Sequence, residues 1–230
     1  MFIKKIFGVM LAAMLLILPQ TVSAEKTDWF DRGFNFRNIR TVIVFDPTVA
    51  YGMNYGGSVD MRNMQDTYAQ NARKLKCNVI TEAQARQELG YQLGMNLNAM
   101  SYEQARQLIM QNAYRIADAW VTTNLDNLDH TYYIEPARTV WEQRRQTRVY
   151  RDSWGNRQEE VYYVQVPVTY PPRRVDRTSL QVSMEMRETR NGSVIFTRKD
   201  VRDRDDYYAE KGMFGRITNS FFEDAGKKIR

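Results

Sequence analysis

The 230-residue chain predicts an α+β fold: an α/β-like layered domain whose mixed, largely antiparallel sheet has helices packed on it, plus a long projecting β-hairpin. Three observations carry this. The first half alternates short apolar runs with segments of helical period, the rhythm of a layered α/β domain. In the second half Leu180, Val182, Met184 and Met186 alternate with Gln181, Ser183, Glu185 and Arg187, the period of a strand with one buried face. Asn191-Gly192 follows and Val194-Ile195-Phe196-Thr197 returns, a strong hairpin signal. Apolar residues at 43% and charged residues at 26% are ordinary for a globular chain and exclude wholesale disorder or a collagenous repeat.

The chain starts Met1-Phe2-Ile3-Lys4-Lys5, runs uncharged from Ile6 to Leu18, and passes through Pro19 to Val22-Ser23-Ala24. A basic start, a short apolar run and a small-residue exit predict a signal peptide over residues 1–24, cleaved after Ala24. The run is too short to span a bilayer, so the expected product is extracytoplasmic, periplasmic or secreted, and not membrane-spanning after cleavage. Residues 25–230 are then expected to form a single α/β domain.

Asp28 to Asn38 carries Trp29, Phe30, Phe34 and Phe36 and reads as an arm laid on the core. Thr41-Val42-Ile43-Val44-Phe45, stopped by Asp46-Pro47, reads as a central strand buried on both faces. Residues 52–58 hold three glycines and read as a loop, which is also where backbone amides can cradle an anion. Asp60 is the expected cap of a helix with Met61, Met64, Tyr68, Ala72 and Leu75 on one face. Asn78-Val79-Ile80-Thr81 is a short strand. Thr81-Glu82 opens a helix expected to stop at Gly90. Ser101 and Gln104 form a capping box for a further helix carrying Tyr102, Ala105, Leu108, Ile109, Ala113 and Ile116. A strand is expected over residues 119–125, and a last helix places Phe214, Ile217, Phe221 and Ala225 on one stripe. Lys227-Lys228 at its end suit the dipole.

Residues 138–174 stand apart. Tyr162, Val164, Val166, Val168 and Tyr170 alternate cleanly, residues 139–151 are polar on both faces, and Ser153-Trp154-Gly155-Asn156 can turn one into the other. This predicts a long hairpin closed by Pro171-Pro172. It holds eight Arg and four acids, a net of +4, which equals the charge left once Lys4 and Lys5 are removed with the leader. Arg with exposed aromatic residues is the composition of a binding surface, since guanidinium forks match carboxylate and phosphate and flat rings give contact area at low entropy cost. Arg144, Arg145, Arg148, Tyr150, Arg151 and Trp154 are the candidate binding residues. The alternative is a solvated hairpin whose Arg and Glu pair across strands.

Signals for catalysis are few. One Cys, Cys77, excludes an intramolecular disulfide framework, and its apolar neighbours predict a buried, inert thiol. Asp126, Asp129 and the single His, His130, are read as lying in a loop, where they could offer three metal ligands, although their spacing matches no standard site. No Gly-x-Ser-x-Gly elbow occurs. Asp200, Asp203, Asp205 and Asp206 with Arg202 and Arg204 read as a self-paired strand end.

The order of elements, with Arg40-Thr41-Val42-Ile43-Val44-Phe45-Asp46-Pro47, Lys76-Cys77-Asn78-Val79-Ile80-Thr81-Glu82 and the turn Thr189-Arg190-Asn191-Gly192-Ser193, resembles the small envelope α/β domains related to the curli-secretion protein CsgG and the amino-terminal domain of TolB. The chain departs from the secretion-channel members in having no lipidated Cys. The resemblance implies non-enzymatic envelope work through protein contacts and supplies no catalytic residues. The expectation is an exported, non-enzymatic binding or assembly module of the cell envelope. Its partner would be an envelope protein or an anionic surface, not nucleic acid, with homo-oligomers as a further form and no cofactor or metal. The alternative is an envelope hydrolase or metal-dependent enzyme using the Asp126, Asp129 and His130 region.

Overall fold

The structure is a computed structural model and describes residues 24–50 and 61–229. The expected leader (apart from Ala24), the loop at residues 52–58 and the Asp60 cap lie outside the described residues. The chain divides into two compact units: Met1–His130 with Arg177–Arg230, and Thr131–Asp176.

The first unit is built on a mixed seven-stranded sheet with helices packed on it. The strands of this sheet are β1 (Ala24–Phe30), β2 (Thr41–Val44), β3 (Thr48–Val49), β4 (Asn78–Thr81), β5 (Ala119–Glu135), β8 (Arg173–Glu188) and β9 (Val194–Arg204), the end of β5 and the start of β8 belonging to the second unit's residues. The order is β1-β9-β8-β5-β2-β4, with β3 beside β5. β4, β2 and β5 run parallel, whereas β9 is antiparallel to both β8 and β1. The apolar run at Thr41–Val44 is central, as its lack of alternation predicts: Val42 and Ile43 have no exposed surface.

Strand alternation sends the two sides of β2 into two cores. Val42 and Val44 join Met64, Tyr68 and Ala72 of α1 (Met61–Ala72) and Phe214, Ile217 and Phe221 of α4 (Glu210–Ile229). Ile43 and Phe45 join Ala85 and Leu89 of α2 (Glu82–Leu93) and Ala105 and Ile109 of α3 (Tyr102–Asn112). The expected capping box of Ser101 with Gln104 is present, and Thr81 forms a second one with Gln84. Among the described residues no helix is long and apolar enough to cross a membrane.

Some elements differ from the sequence expectation. α2 runs through Gly90 to Leu93 and is capped at Gly94, which adopts φ +65°. Gly90 serves a close approach instead, because a Cβ there would meet the Met95 carbonyl at 2.9 Å. Gly226 of α4 is tighter: its Cβ would lie 2.1 Å from the Lys74 carbonyl, in the 3-10 turn Arg73–Leu75. The arm expected at residues 28–38 is in fact the edge strand β1, followed by the 3-10 turn Phe36–Asn38. Besides its ladder with β9 and the stacking of Phe30 on Phe196, β1 is held by charge. Arg198 of β9 is fully buried. Its guanidinium donates to both oxygens of Asp28 (2.6 and 2.9 Å), to Asp224 of α4 (2.8 Å) and to Ser220 (3.1 Å). Cys77 is half-buried, and burial, then the nearby Asp118, pushes its thiol up to about 11.

The second unit holds the two-stranded sheet β6 (Arg138–Arg151) and β7 (Arg157–Tyr170). It is antiparallel in unbroken register from Arg138↔Tyr170 to Arg151↔Arg157, the hairpin the sequence predicts.

Candidate functional site

The hairpin is the leading candidate because of how little it buries. No residue of β6 or β7 is buried. Its order comes from cross-strand pairing and polar contacts: Thr139 with Thr169 at 3.1 Å, the Tyr162 hydroxyl on Gln146 at 2.9 Å, and the Tyr170 hydroxyl on Glu142. At the tip, Asp152 accepts the backbone N–H groups of Trp154 and Asn156, both at 2.9 Å, and Gly155 takes φ +81°. The Gln158 amide and those N–H groups hold the Asp152 carboxyl below its usual range.

Pairing at the tip also explains Pro167. Asp152 N donates to Asn156 O at 2.9 Å, so pairs in step with 152 and 156 carry the ladder hydrogen bonds. Trp141↔Pro167 is out of step with them. Its missing N–H therefore falls on the open edge, where a sheet tolerates proline.

Alternation divides the candidate residues. Arg144, Arg148 and Tyr150 share one face of β6, Arg145 and Arg151 lie on the other, and Trp154 stands at the tip with 87% of its surface exposed. Arg145 is registered opposite Tyr163 and Arg148 opposite Glu160. The ion pairs on the hairpin run along the strands, Arg144 with Glu142 (3.7 Å) and Arg157 with Glu159 (3.5 Å). Among the described residues none holds Arg145, Arg148 or Arg151. Cross-strand neutralisation of the Arg by Glu is therefore not what the geometry shows.

The expected loop around His130 is instead part of the long strand β5. Asp126 and His130 lie on one face and Asp129 on the other, so the three do not converge. Asp126 accepts from Ser183 (2.9 Å) and Gln181 (3.3 Å). His130 stacks on Tyr207, and its Nδ1 lies 3.1 Å from Thr178 Oγ1. That hydroxyl donates to the Asp206 carbonyl at 2.6 Å and so accepts from the imidazole. Among the described residues no group of three His, Cys, Asp or Glu side chains is placed to hold a metal. At the strand end, Arg202 grips Asp200 with two hydrogen bonds (2.9 and 2.8 Å), the self-pairing expected there.

A second polar centre escapes sequence reasoning. Glu82, 1% exposed, sits at the start of α2 beside the carboxyl ends of β2 and β4. It accepts the Asp46 N–H (3.1 Å) and the Tyr102 hydroxyl (3.0 Å) and faces Arg86 (3.3 Å) and Arg106 (3.9 Å). Arg106 donates to Tyr102 Oη at 2.7 Å and lies over the Phe45 ring at 4.8 Å. Burial, then the Glu82 charge, raises the Asp46 carboxyl, and burial lifts the Tyr102 phenol to about 12. A cavity of about 390 Å³ opens beside Arg106, Tyr102 and Asn124. The four-residue spacings Glu82/Arg86 and Tyr102/Arg106 were the available signal, but they show only that each pair shares a helix face.

No family model matches the chain, and no curated protein matches it. Solved structures do. The PelC dodecamer from Paraburkholderia phytofirmans is 8% identical over 90% of this chain and 97% of that one, at a TM-score of 0.41. Lipoprotein GNA1162 from Neisseria meningitidis is 11% identical over 82% of this chain and 99% of that one, at a TM-score of 0.40.

Proposed function

We propose that the protein is an exported, non-enzymatic binding or assembly module of the cell envelope. In this reading the β6–β7 hairpin is the element that touches an envelope protein or anionic surface. One observation carries it: the hairpin buries none of its residues, yet exposes Trp141, Trp154, Tyr150 and Tyr163 beside the guanidiniums of Arg145, Arg148 and Arg151, which have no carboxylate partner among the described residues. A two-stranded hairpin is marginal alone, and aromatic residues left in water add nothing to folding. Against a partner the rings recover apolar area, and the guanidiniums find carboxylate or phosphate in fork geometry. Export rests on the leader read from residues 1–24, and the envelope setting on the resemblance to the CsgG and TolB amino-terminal-domain group.

The test replaces Arg144, Arg145 and Arg148 by Ala, which removes charge from both faces. Because the three are exposed, the melting temperature should move by less than about 2 °C. Crosslinking in the native envelope should lose a partner adduct that the wild type forms. A large fall in melting temperature would place these side chains in the structural interior, and unchanged crosslinking would remove the hairpin from recognition. Amino-terminal sequencing of the exported protein should begin at Glu25.

A further inference from the structure

We propose that the first unit carries a binding site for a multiply charged, phosphate-type oxyanion, at the amino-terminal edge of its parallel strands. A cavity of about 410 Å³ lies there, and Arg37, Arg40 and Arg190 all line it. Among the described residues none of the three is in an ion pair, whereas Arg86, Arg106, Arg187, Arg198 and Arg202 each have a carboxylate partner. Three like charges around one cavity repel each other, and that repulsion is relieved when an anion sits among them.

Two acids also line the cavity, Asp118 and Glu188. The Asp118 carboxylate is occupied by the backbone: one of its oxygens accepts the N–H groups of Arg40 (2.8 Å) and Thr41 (3.0 Å). Neither acid comes within ion-pair distance of a lining guanidinium. The rim therefore keeps a net charge of +1 and three open forks, which suit oxyanions better than a neutral or cationic ligand.

The rim is also braced. Asp118 N donates to Thr41 O (2.9 Å) and Thr189 N to Asp118 O (3.0 Å), while the buried Thr189 hydroxyl donates to Ala117 O (2.7 Å). These bonds tie together the segments bearing Arg40 and Arg190. Arg37 sits in the 3-10 turn capped by the Asn35 side chain, with Phe36 and Ile39 buried on either side of it. Guanidiniums mounted on a fixed frame lose less entropy on binding than the same groups on a mobile loop.

The experiment is calorimetric titration of the mature chain with inorganic pyrophosphate, and in a second arm with vesicles containing phosphatidate. The wild type should bind one pyrophosphate saturably. Arg37→Gln and Arg190→Gln should each weaken binding about tenfold, the loss of one charge-assisted hydrogen-bonding group, without a change in melting temperature. Vesicle binding that these variants abolish, with no uptake of free pyrophosphate, supports the same site with a lipid headgroup as the source. Absence of saturable binding in both arms overturns the proposal. So does binding that survives Arg37→Gln and Arg190→Gln but is lost in the Arg144, Arg145 and Arg148 Ala variant, because the anion would then belong to the hairpin.

Discussion

Replacing Arg198 by Met should cost about 2–3 kcal/mol of stability at pH 7. The side chain is wholly buried and makes three short hydrogen bonds to two carboxylates, and breaking such a pair from one side costs about 3–5 kcal/mol. Asp28 and Asp224 keep 25% and 30% of their side-chain surface exposed. They rehydrate in part once the guanidinium is gone, which lowers the figure. At about 2–4 °C per kcal/mol for a chain of this size, the melting temperature should fall about 5–10 °C. The pH profile gives a second readout. Burial alone would raise both carboxyls, but hydrogen bonds from Arg198, with help from Lys26 and Lys227, outweigh it. They hold Asp28 below its usual value and Asp224 at about 2. A depressed folded-state value gives stability that is complete above about pH 4 and lost as pH falls towards 2. For Asp224 this is about 1–2 kcal/mol after allowance for its contact with solvent. Urea unfolding of wild type and Arg198→Met at pH 7, 4 and 2.5 measures both effects, and the acid loss should shrink in the variant. A variant within about 0.5 kcal/mol of wild type at pH 7, well short of the buried-pair cost, would refute the clasp. So would an unchanged fall between pH 4 and 2.5.

Other sites give independent tests. Gly226→Ala should destabilise by about 3 kcal/mol in urea melts, because its Cβ meets the Lys74 backbone carbonyl. Gly215→Ala meets only the Thr67 methyl at 3.2 Å and should be near neutral, helped by helix propensity. Glu82→Gln leaves Arg86 and Arg106 without their carboxylate, for an expected loss of about 2–3 kcal/mol. Carbon NMR should show Asp46 titrating at lower pH in that variant, since one of the two causes of its raised value is gone. The Cys77 thiol, at about 11, should react with dithionitrobenzoate at pH 8 about a hundredfold more slowly than an unhindered cysteine, and at full rate in denaturant.

Local signals carried much of this fold. The unbroken apolar run at residues 41–45, the Ser101 capping box, the alternation at residues 180–186 and the Asn191-Gly192 turn each name their own element, and the structure places those elements as expected. The hairpin was legible for the same reason: its alternation, turn and closing prolines are contiguous in sequence. What escaped depends on distant partners. Nothing near Asp28 announces that Arg198 waits 170 positions away, so β1 read as an arm. Gly90 read as a stop because propensity does not show that the chain returns at Met95 to pack on it. The loop expected around His130 failed because β5 is lengthened by neighbouring strands, which override the turn character of Asp126-Asn127. Glu82 was missed because a buried carboxylate differs from a surface one only in its tertiary partners.

The proposed contact surface is the β6–β7 hairpin. A photo-crosslinking amino acid placed in cells at position 148, 150 or 154, and in parallel at the exposed Tyr91 of the first unit, reports which surface meets a partner. A discrete adduct should form from each of the three hairpin positions and none from position 91. Equal adducts from position 91, or none from the hairpin, would contradict the proposal.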